Sequence, residues 1–161
     1  MPVGVLLRLG LAVALLGGST PGTVTVSAAI VASCSISGST LAFGSYDPIA
    51  TNSVTALNVS GNALSVSCTR GAPGVTVTLG TGSNAAFAVG TTRAMAGGGG
   101  YLSYDLYTDA THGTVWNTTN TVSYAPLSMA ASNLTVYGQI PGGQDATVAS
   151  YTDSVTATVN F

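Results

Sequence analysis

The sequence predicts an all-β domain, built as a sandwich or barrel of short strands. Three observations support this prediction. Val, Thr, Tyr and Gly dominate the composition, five segments alternate between apolar and polar residues, and clusters of Gly, Pro and Asn separate those segments. The chain contains no Glu and no Lys, and these are among the residues that favour helices. A long helical bundle is therefore excluded.

The five alternating segments place their apolar residues on every second position, so each predicted strand buries one face and exposes the other. The predicted buried faces are Leu64, Val66 and Cys68; Val75, Val77 and Leu79; Leu102, Tyr104 and Leu106; Leu134 and Val136; and Val155, Ala157, Val159 and Phe161.

The charge composition limits the kinds of partner. Only 5% of the 161 residues are charged, and the three cations are all Arg. Binding of nucleic acid requires several Lys or Arg to neutralise phosphates, so we expect no nucleic-acid partner. Hydrophobic residues make up 46% of the chain and the net charge is −2, which argues against intrinsic disorder.

Residues 1–22 have the organisation of a secretory signal peptide. Arg8 precedes an apolar run over residues 9–16, and small residues follow over 17–22. This apolar run is too short to span a bilayer core of ~30 Å. We expect cleavage between Gly18 and Gly22; the alternative is a buried N-terminal helix.

The two cysteines agree with export. Cys34 and Cys68 are the only cysteines, and an even number in an exported chain predicts a disulfide. A metal site usually has more Cys or His ligands at short spacing, and a redox pair usually has a Cys-x-x-Cys motif. Neither pattern is present.

The segment before the first cysteine also alternates. Its even positions are apolar over residues 24–32, while Thr23, Thr25 and Ser27 are polar. One interpretation is the first strand of the chain's own sheet. The other is a donor strand that adds to the sheet of a neighbouring subunit, where alternate side chains fill successive pockets. The pattern alone does not choose between them.

Several sequence blocks, in order, resemble the spore coat protein U domain family, which includes the secreted subunits of archaic chaperone–usher pili. The resemblance covers residues 23–161. Its blocks are residues 32–34 (ASC), 41–48 (LAFGSYDP), 64–69 (LSVSCT), 75–80 (VTVTLG), 93–95 (RAM), 102–109 (LSYDLYTD), 115–116 (VW), 137–141 (YGQIP) with Gln144, and 151–155 (YTDSV) continuing to Phe161. The sequence departs from the family pattern at Asn117 and Ala149, where Gly is expected.

This resemblance implies an incomplete immunoglobulin-like β-sandwich over residues 34–161, which lacks its last strand. A periplasmic chaperone would fill the gap, and residues 23–33 of the next subunit would replace it at an outer-membrane usher. The implied donor side chains are Val24, Val26, Ala28 and Ile30. The implied groove or chaperone-binding strand contains Val155, Ala157, Val159 and Phe161, with the carboxylate of Phe161 available to anchor the chaperone.

We expect no enzymatic activity, no metal and no cofactor. His112 is the only histidine, and the nearby Asp105 and Asp109 are about 13 Å apart in an extended strand, so we interpret all three as loop or turn residues. The chain contains no Gly-x-Ser-x-Gly motif. The glycine run 97–100 is not followed by the Lys and Ser/Thr of a phosphate-binding loop.

Three function classes remain. The leading one is a structural pilus subunit at the cell surface that polymerises by donor-strand exchange with identical or related subunits, with a role in attachment and biofilm formation. The second is a spore-coat or cell-surface protein that forms no pilus. The third is a carbohydrate-binding adhesin that uses Trp116 and the tyrosines, for which burial in the core is the competing interpretation.

Overall fold

The computed structural model describes residues 16–161, which divide into two units at Ile30. The first unit, up to Ile30, contains no regular secondary structure over its described residues 16–30. Residues 1–15 of the predicted signal peptide lie outside the described part of the chain. The signal peptide therefore stays a prediction.

The second unit, Val31–Phe161, consists of short strands and one 3₁₀ turn, Ala85–Phe87. The strands are β1 (Cys34–Gly38), β2 (Leu57–Cys68), β3 (Thr76–Leu79), β4 (Arg93–Gly97), β5 (Gly100–Tyr107), β6 (Val122–Ser123), β7 (Ser132–Ile140) and β8 (Ala157–Asn160). Within residues 16–161, no helix is long and apolar enough to cross a membrane. The all-β prediction is confirmed.

Two antiparallel sheets enclose one hydrophobic core. The five-stranded sheet has the order β1-β2-β7-β5-β4, and the three-stranded sheet has the order β6-β3-β8. Val66 of β2, Val77 of β3 and Ile140 of β7 are almost completely buried between the sheets. The period-two pattern therefore identified the buried faces of these strands, as expected for sheets that share a core.

The strand β5 differs from its prediction, because both of its faces are covered. Leu102, Tyr104 and Leu106 face the core as predicted, but Ser103 and Asp105 are buried as well. The segment over residues 89–92 covers them: the Val89 N–H donates to the Ser103 hydroxyl at 2.9 Å, and the Thr92 N–H donates to Asp105 at 3.0 Å. These partners satisfy the two polar side chains, so their burial is tolerated.

The last strand is shorter than the alternating segment that predicted it. Residues 153–156 precede β8, and the Thr156 carbonyl accepts a hydrogen bond from the Gly80 N–H at 2.8 Å. The alternation of half-buried and exposed residues nevertheless continues from Asp153 to Asn160.

Candidate functional site, an apolar groove between two sheet edges

Each sheet contributes one of its edge strands to the candidate site. Among the described residues, β1 pairs only with β2, and β8 pairs only with β3. The outer edge of each strand is thus free for main-chain hydrogen bonding with a further strand.

A groove of about 1050 Å³ opens beside these edges. One wall is formed by Ile36 of β1 and by residues 39–46, which follow it. The other wall is formed by residues 146–155 and by Ala157 at the start of β8. Its floor contains core side chains of both sheets, among them Leu79 and Val136. We call this feature the edge groove.

Two glycines shape the first wall. A Cβ on Gly138 of β7 would lie 2.7 Å from Cζ of Phe43, and one on Gly61 of β2 would lie 3.1 Å from Cδ1 of Leu41. The absence of these side chains lets Leu41 and Phe43 pack directly on the five-stranded sheet. Phe43 also meets Tyr104 edge to face, with ring centroids 5.8 Å apart. Gly61 and Gly138 therefore determine the position of Leu41 and Phe43 in the first wall.

The two edge strands that border the groove come close to each other. Where β1 passes β8, Cα atoms of the two strands come within 8 Å of each other. A strand seated between them needs two strand spacings, about 9.6 Å in total. The two edges must therefore move apart where β1 and β8 approach before a complete strand can pair with both.

The second wall is held in place by polar contacts. Thr152 and Ala96 of β4 exchange two backbone hydrogen bonds, at 2.9 and 3.0 Å. The Asp153 carboxylate accepts from the Ser83 N–H at 2.9 Å and from the Tyr104 hydroxyl at 2.8 Å. Burial raises the pKa of Tyr104 well above its ordinary value, and the hydrogen bond to Asp153 raises this pKa further. The phenol therefore stays protonated and remains a donor to Asp153.

The first wall is covalently attached to its sheet. Cys34 and Cys68 form a disulfide, as the cysteine count predicted, and the two residues are directly paired in the β1–β2 ladder. The bridge lies at the first residue of β1 and the last residue of β2. It ties the edge strand that borders the groove to the interior of the five-stranded sheet.

The structure distributes the predicted groove residues unevenly. Val155 and Ala157 line the edge groove. Val159 packs against the hydrophobic core, but Phe161 is 57% exposed, so its predicted place on the buried face is wrong. The lining by residues 39–46 was not predicted. The alternation of Leu41 and Phe43 with small residues is a signal that could have identified it.

The predicted donor residues lie in a segment without regular structure. Residues 23–32 form no strand, and Val24, Val26, Ala28 and Ile30 are exposed, Ile30 to 88%. The donor role of these side chains is not tested by their exposure and stays a prediction.

The interpretation of Asp105 as a loop or turn residue is wrong, because Asp105 lies within β5 and is buried beside Arg93. Arg93 is completely buried, and its guanidinium donates to the carbonyls of Gly80 and Trp116 at 2.8 and 2.6 Å while facing Asp105 at 3.6 Å. Burial lowers the pKa of Arg93 from its ordinary value. The carboxylate of Asp109 accepts hydrogen bonds from its own turn. Within residues 16–161, no group of three potential metal ligands occurs.

Trp116, the aromatic residue considered for sugar binding, also lies in the hydrophobic core. Trp116 is fully buried, and its indole N–H donates to the Val77 carbonyl at 2.9 Å. The interpretation of Trp116 as a core residue is therefore the one that the structure supports.

The family model for the Spore Coat Protein U domain matches residues 20–158. The chain belongs to this family. A relative, Protein U of Myxococcus xanthus, is 37% identical over 133 residues, which cover 77% of this chain and 73% of the relative. The resemblance inferred from the sequence blocks is thus confirmed.

A solved structure supports the fold. It is the crystal structure of the CsuC–CsuE chaperone–tip adhesion subunit pre-assembly complex from the archaic chaperone–usher Csu pili of Acinetobacter baumannii. The match has a TM-score of 0.55 at 20% identity and covers 82% of this chain, but this chain spans only 40% of the solved one. The likeness confirms the predicted fold, an immunoglobulin-like sandwich.

Proposed function

We propose that this protein is a structural, non-catalytic subunit of a surface fibre assembled by the chaperone–usher route, and that it polymerises by donor-strand exchange. The observation that carries the proposal is the edge groove, a channel with core side chains in its floor, beside two strand edges that lack an outer neighbour among the described residues. Residues 23–32 of a second copy are its proposed occupant. Strand addition of this kind combines main-chain hydrogen bonds with side chains that fill alternate pockets.

The composition of the donor segment fits the groove. Val24, Val26 and Ile30 would project from one face of the segment in an extended conformation, and all three are exposed in the described chain. Burying each of them would contribute on the order of 1.5–3 kcal/mol before the cost of ordering the segment. The polar residues Thr23, Thr25 and Ser27 would face solvent.

The groove also defines the proposed partners during export. A periplasmic chaperone would cover the apolar lining until an outer-membrane usher allows the next subunit to replace it. We assign Val155 and Ala157 to the strand that borders the groove, and Val159 and Phe161 to its chaperone-binding continuation. The protein would pass through the periplasm to the cell surface, where the fibre serves attachment and biofilm formation.

A second candidate is a spore-coat or surface protein that forms no pilus. It is favoured by the similarity to Protein U of Myxococcus xanthus and by the description of the family. Electron microscopy distinguishes the two, because only the leading proposal requires filaments that are long relative to one subunit.

The test is a pair of substitutions on opposite faces of the donor segment. Ile30→Asp places a charge in an apolar pocket, which costs several kcal/mol if the charge stays unpaired. We expect it to abolish polymers when the oxidised mature chain is refolded and analysed by size-exclusion chromatography with light scattering. Thr25→Asp, on the polar face, should polymerise like the wild type.

A mixing experiment separates a defective donor from a misfolded subunit. A subunit with Ile30→Asp keeps its groove and can still accept a donor strand, but it cannot extend the fibre. Adding it to wild-type protein should therefore shorten the polymers in proportion to its mole fraction. Wild-type lengths in such mixtures, or normal polymers formed by Ile30→Asp alone, would contradict the proposal.

A further inference from the structure

The chain immediately before β1 is held by one side chain, Thr69. The N–H of Ser33 donates to the Thr69 hydroxyl oxygen at 3.1 Å, and the Thr69 N–H donates to the Ser33 carbonyl at 2.8 Å. The Thr69 hydroxyl in turn donates to the carbonyl of Val31 at 3.1 Å. These contacts extend the β1–β2 ladder by one residue pair beyond the disulfide.

Two donor segments could fill the edge groove: residues 23–30 of the same chain and those of a second copy. The contacts of Thr69 lie where they can affect this competition. The edge groove borders β1, and residues 23–30 of the same chain precede β1 by only three residues. A hairpin connection of two to five residues is sufficient to reverse a chain. A reversal within residues 31–33 would thus bring the chain's own segment alongside β1.

Self-donation would be strongly favoured by proximity alone. A segment on a short tether has an effective concentration in the millimolar range, which exceeds the concentration of free subunits in any ordinary refolding experiment. A chain that filled its own groove would form a closed monomer and terminate assembly. Polymerisation therefore requires a feature that disfavours reversal.

We propose that Thr69 is this feature, a specificity-determining residue that holds residues 31–33 extended and so reserves the edge groove for the donor segment of a second copy. The inference rests on the proposed donor-strand function. A reversal at residues 31–33 must break the contacts of Val31 and Ser33 with Thr69. A reversal before Val31 keeps them, but it places Ile30 in the turn and removes this side chain from the donor face.

The inference is tested by Thr69→Val, which removes the hydroxyl and with it its hydrogen bonds to Ser33 and Val31, and keeps the backbone bond from residue 69 to Ser33. The oxidised mature chain is refolded at about 1 µM, far below the effective concentration of the tether. We expect the ratio of stable monomer to polymer to rise about tenfold, the change expected for loss of two exposed hydrogen bonds. Light scattering after size-exclusion chromatography measures this ratio.

The matched control is Thr135→Val, which removes an exposed hydrogen bond, from Thr135 to the Asn62 side chain at 2.9 Å, at a site away from residues 31–33. It should leave the ratio unchanged, and Thr69→Ser should behave as the wild type. If Thr69→Val fails to fold, four glycines inserted between Ile30 and Val31 provide a second test. They create a turn outside the contacts of Thr69 and should also yield monomers.

Addition of Ile30→Asp identifies the monomer. A Thr69→Val monomer whose groove is filled by its own segment should unfold at lower urea concentration when Ile30→Asp is added. Equal monomer-to-polymer ratios for Thr69→Val and Thr135→Val, or a Thr69→Val monomer that is insensitive to Ile30→Asp, would overturn the role of Thr69. If Thr69→Val does not fold, wild-type polymers of the four-glycine variant would also overturn the role of Thr69. Failure of the donor-strand function itself gives a different result, normal polymers of Ile30→Asp in the wild-type background.

Discussion

The disulfide should stabilise both the domain and the wall of its groove. Cys34 and Cys68 are 34 residues apart in sequence, and they join the edge strand β1 to β2. On the chain-entropy model, closing a loop of this length contributes about 3–4 kcal/mol to the free energy of unfolding. We therefore expect the double variant Cys34→Ala, Cys68→Ala to be less stable by about this amount.

Trp116 provides the assay, because it is the only tryptophan and is fully buried. Its fluorescence should report urea unfolding of the whole sandwich. With a slope of about 2 kcal/mol per molar urea, the midpoint should fall by roughly 2 M in the alanine variant. The midpoint for binding of a synthetic peptide of residues 23–33 should shift to higher concentration as well, because β1 is then held only by its ladder with β2.

The matched control is Ser37→Ala with Ser65→Ala, a directly opposed pair in the same ladder without a covalent bond. Its urea midpoint should stay near that of the wild type. The reasoning is refuted if the cysteine variant unfolds at the wild-type midpoint, or if the serine control loses as much stability as the cysteine variant.

Two further predictions concern the walls of the edge groove. Gly138→Ala places a Cβ at 2.7 Å from Phe43 Cζ, so Phe43 must shift, and we expect a loss of about 1–3 kcal/mol in urea unfolding; Gly61→Ala, whose nearest contact is 3.1 Å, should lose less. Tyr104→Phe should change the alkaline limit of stability. Because burial raises the folded-state pKa of Tyr104, its contribution is complete below the unfolded-state pKa of about 10 and is lost as pH rises above it. Urea midpoints from pH 8 to 12 should therefore fall less steeply for the variant, and equal slopes would count against this assignment.

The sequence was sufficient to predict the strands that share the core. Val66, Val77 and Val136 lie in period-two segments, and the two-sheet packing buries such faces directly. The same logic failed for β5, because the burial of Ser103 and Asp105 depends on residues 89–92 that fold over them. Local alternation carries no information about a cover that comes from another part of the chain.

The burial of Arg93 could not be predicted for a similar reason. A single Arg among threonines is typical of a solvated surface. Its burial depends on two carbonyl groups, of Gly80 and Trp116, that converge from distant segments. The edge groove also depends on topology, since a half-buried strand has the same residue pattern whether one or two neighbours pair with it. The open edges of β1 and β8 therefore became visible only with the order of the strands.

The polar contacts between the sheets are concentrated away from the free edge of β1. Arg93 of β4 binds the carbonyl of Gly80 directly after β3, and Tyr104 of β5 binds Asp153, which also contacts Ser83. In the five-stranded sheet, β4 and β5 lie at the side opposite β1. Hydrogen bonds of this kind hold two sheets at a fixed separation on the side where they occur, whereas apolar side chains on the other side can separate and repack around an added strand. The sandwich is thus fastened through β4 and β5, and a donor strand between β1 and β8, whose Cα atoms approach within 8 Å, would need these two edges to separate to about 9.6 Å.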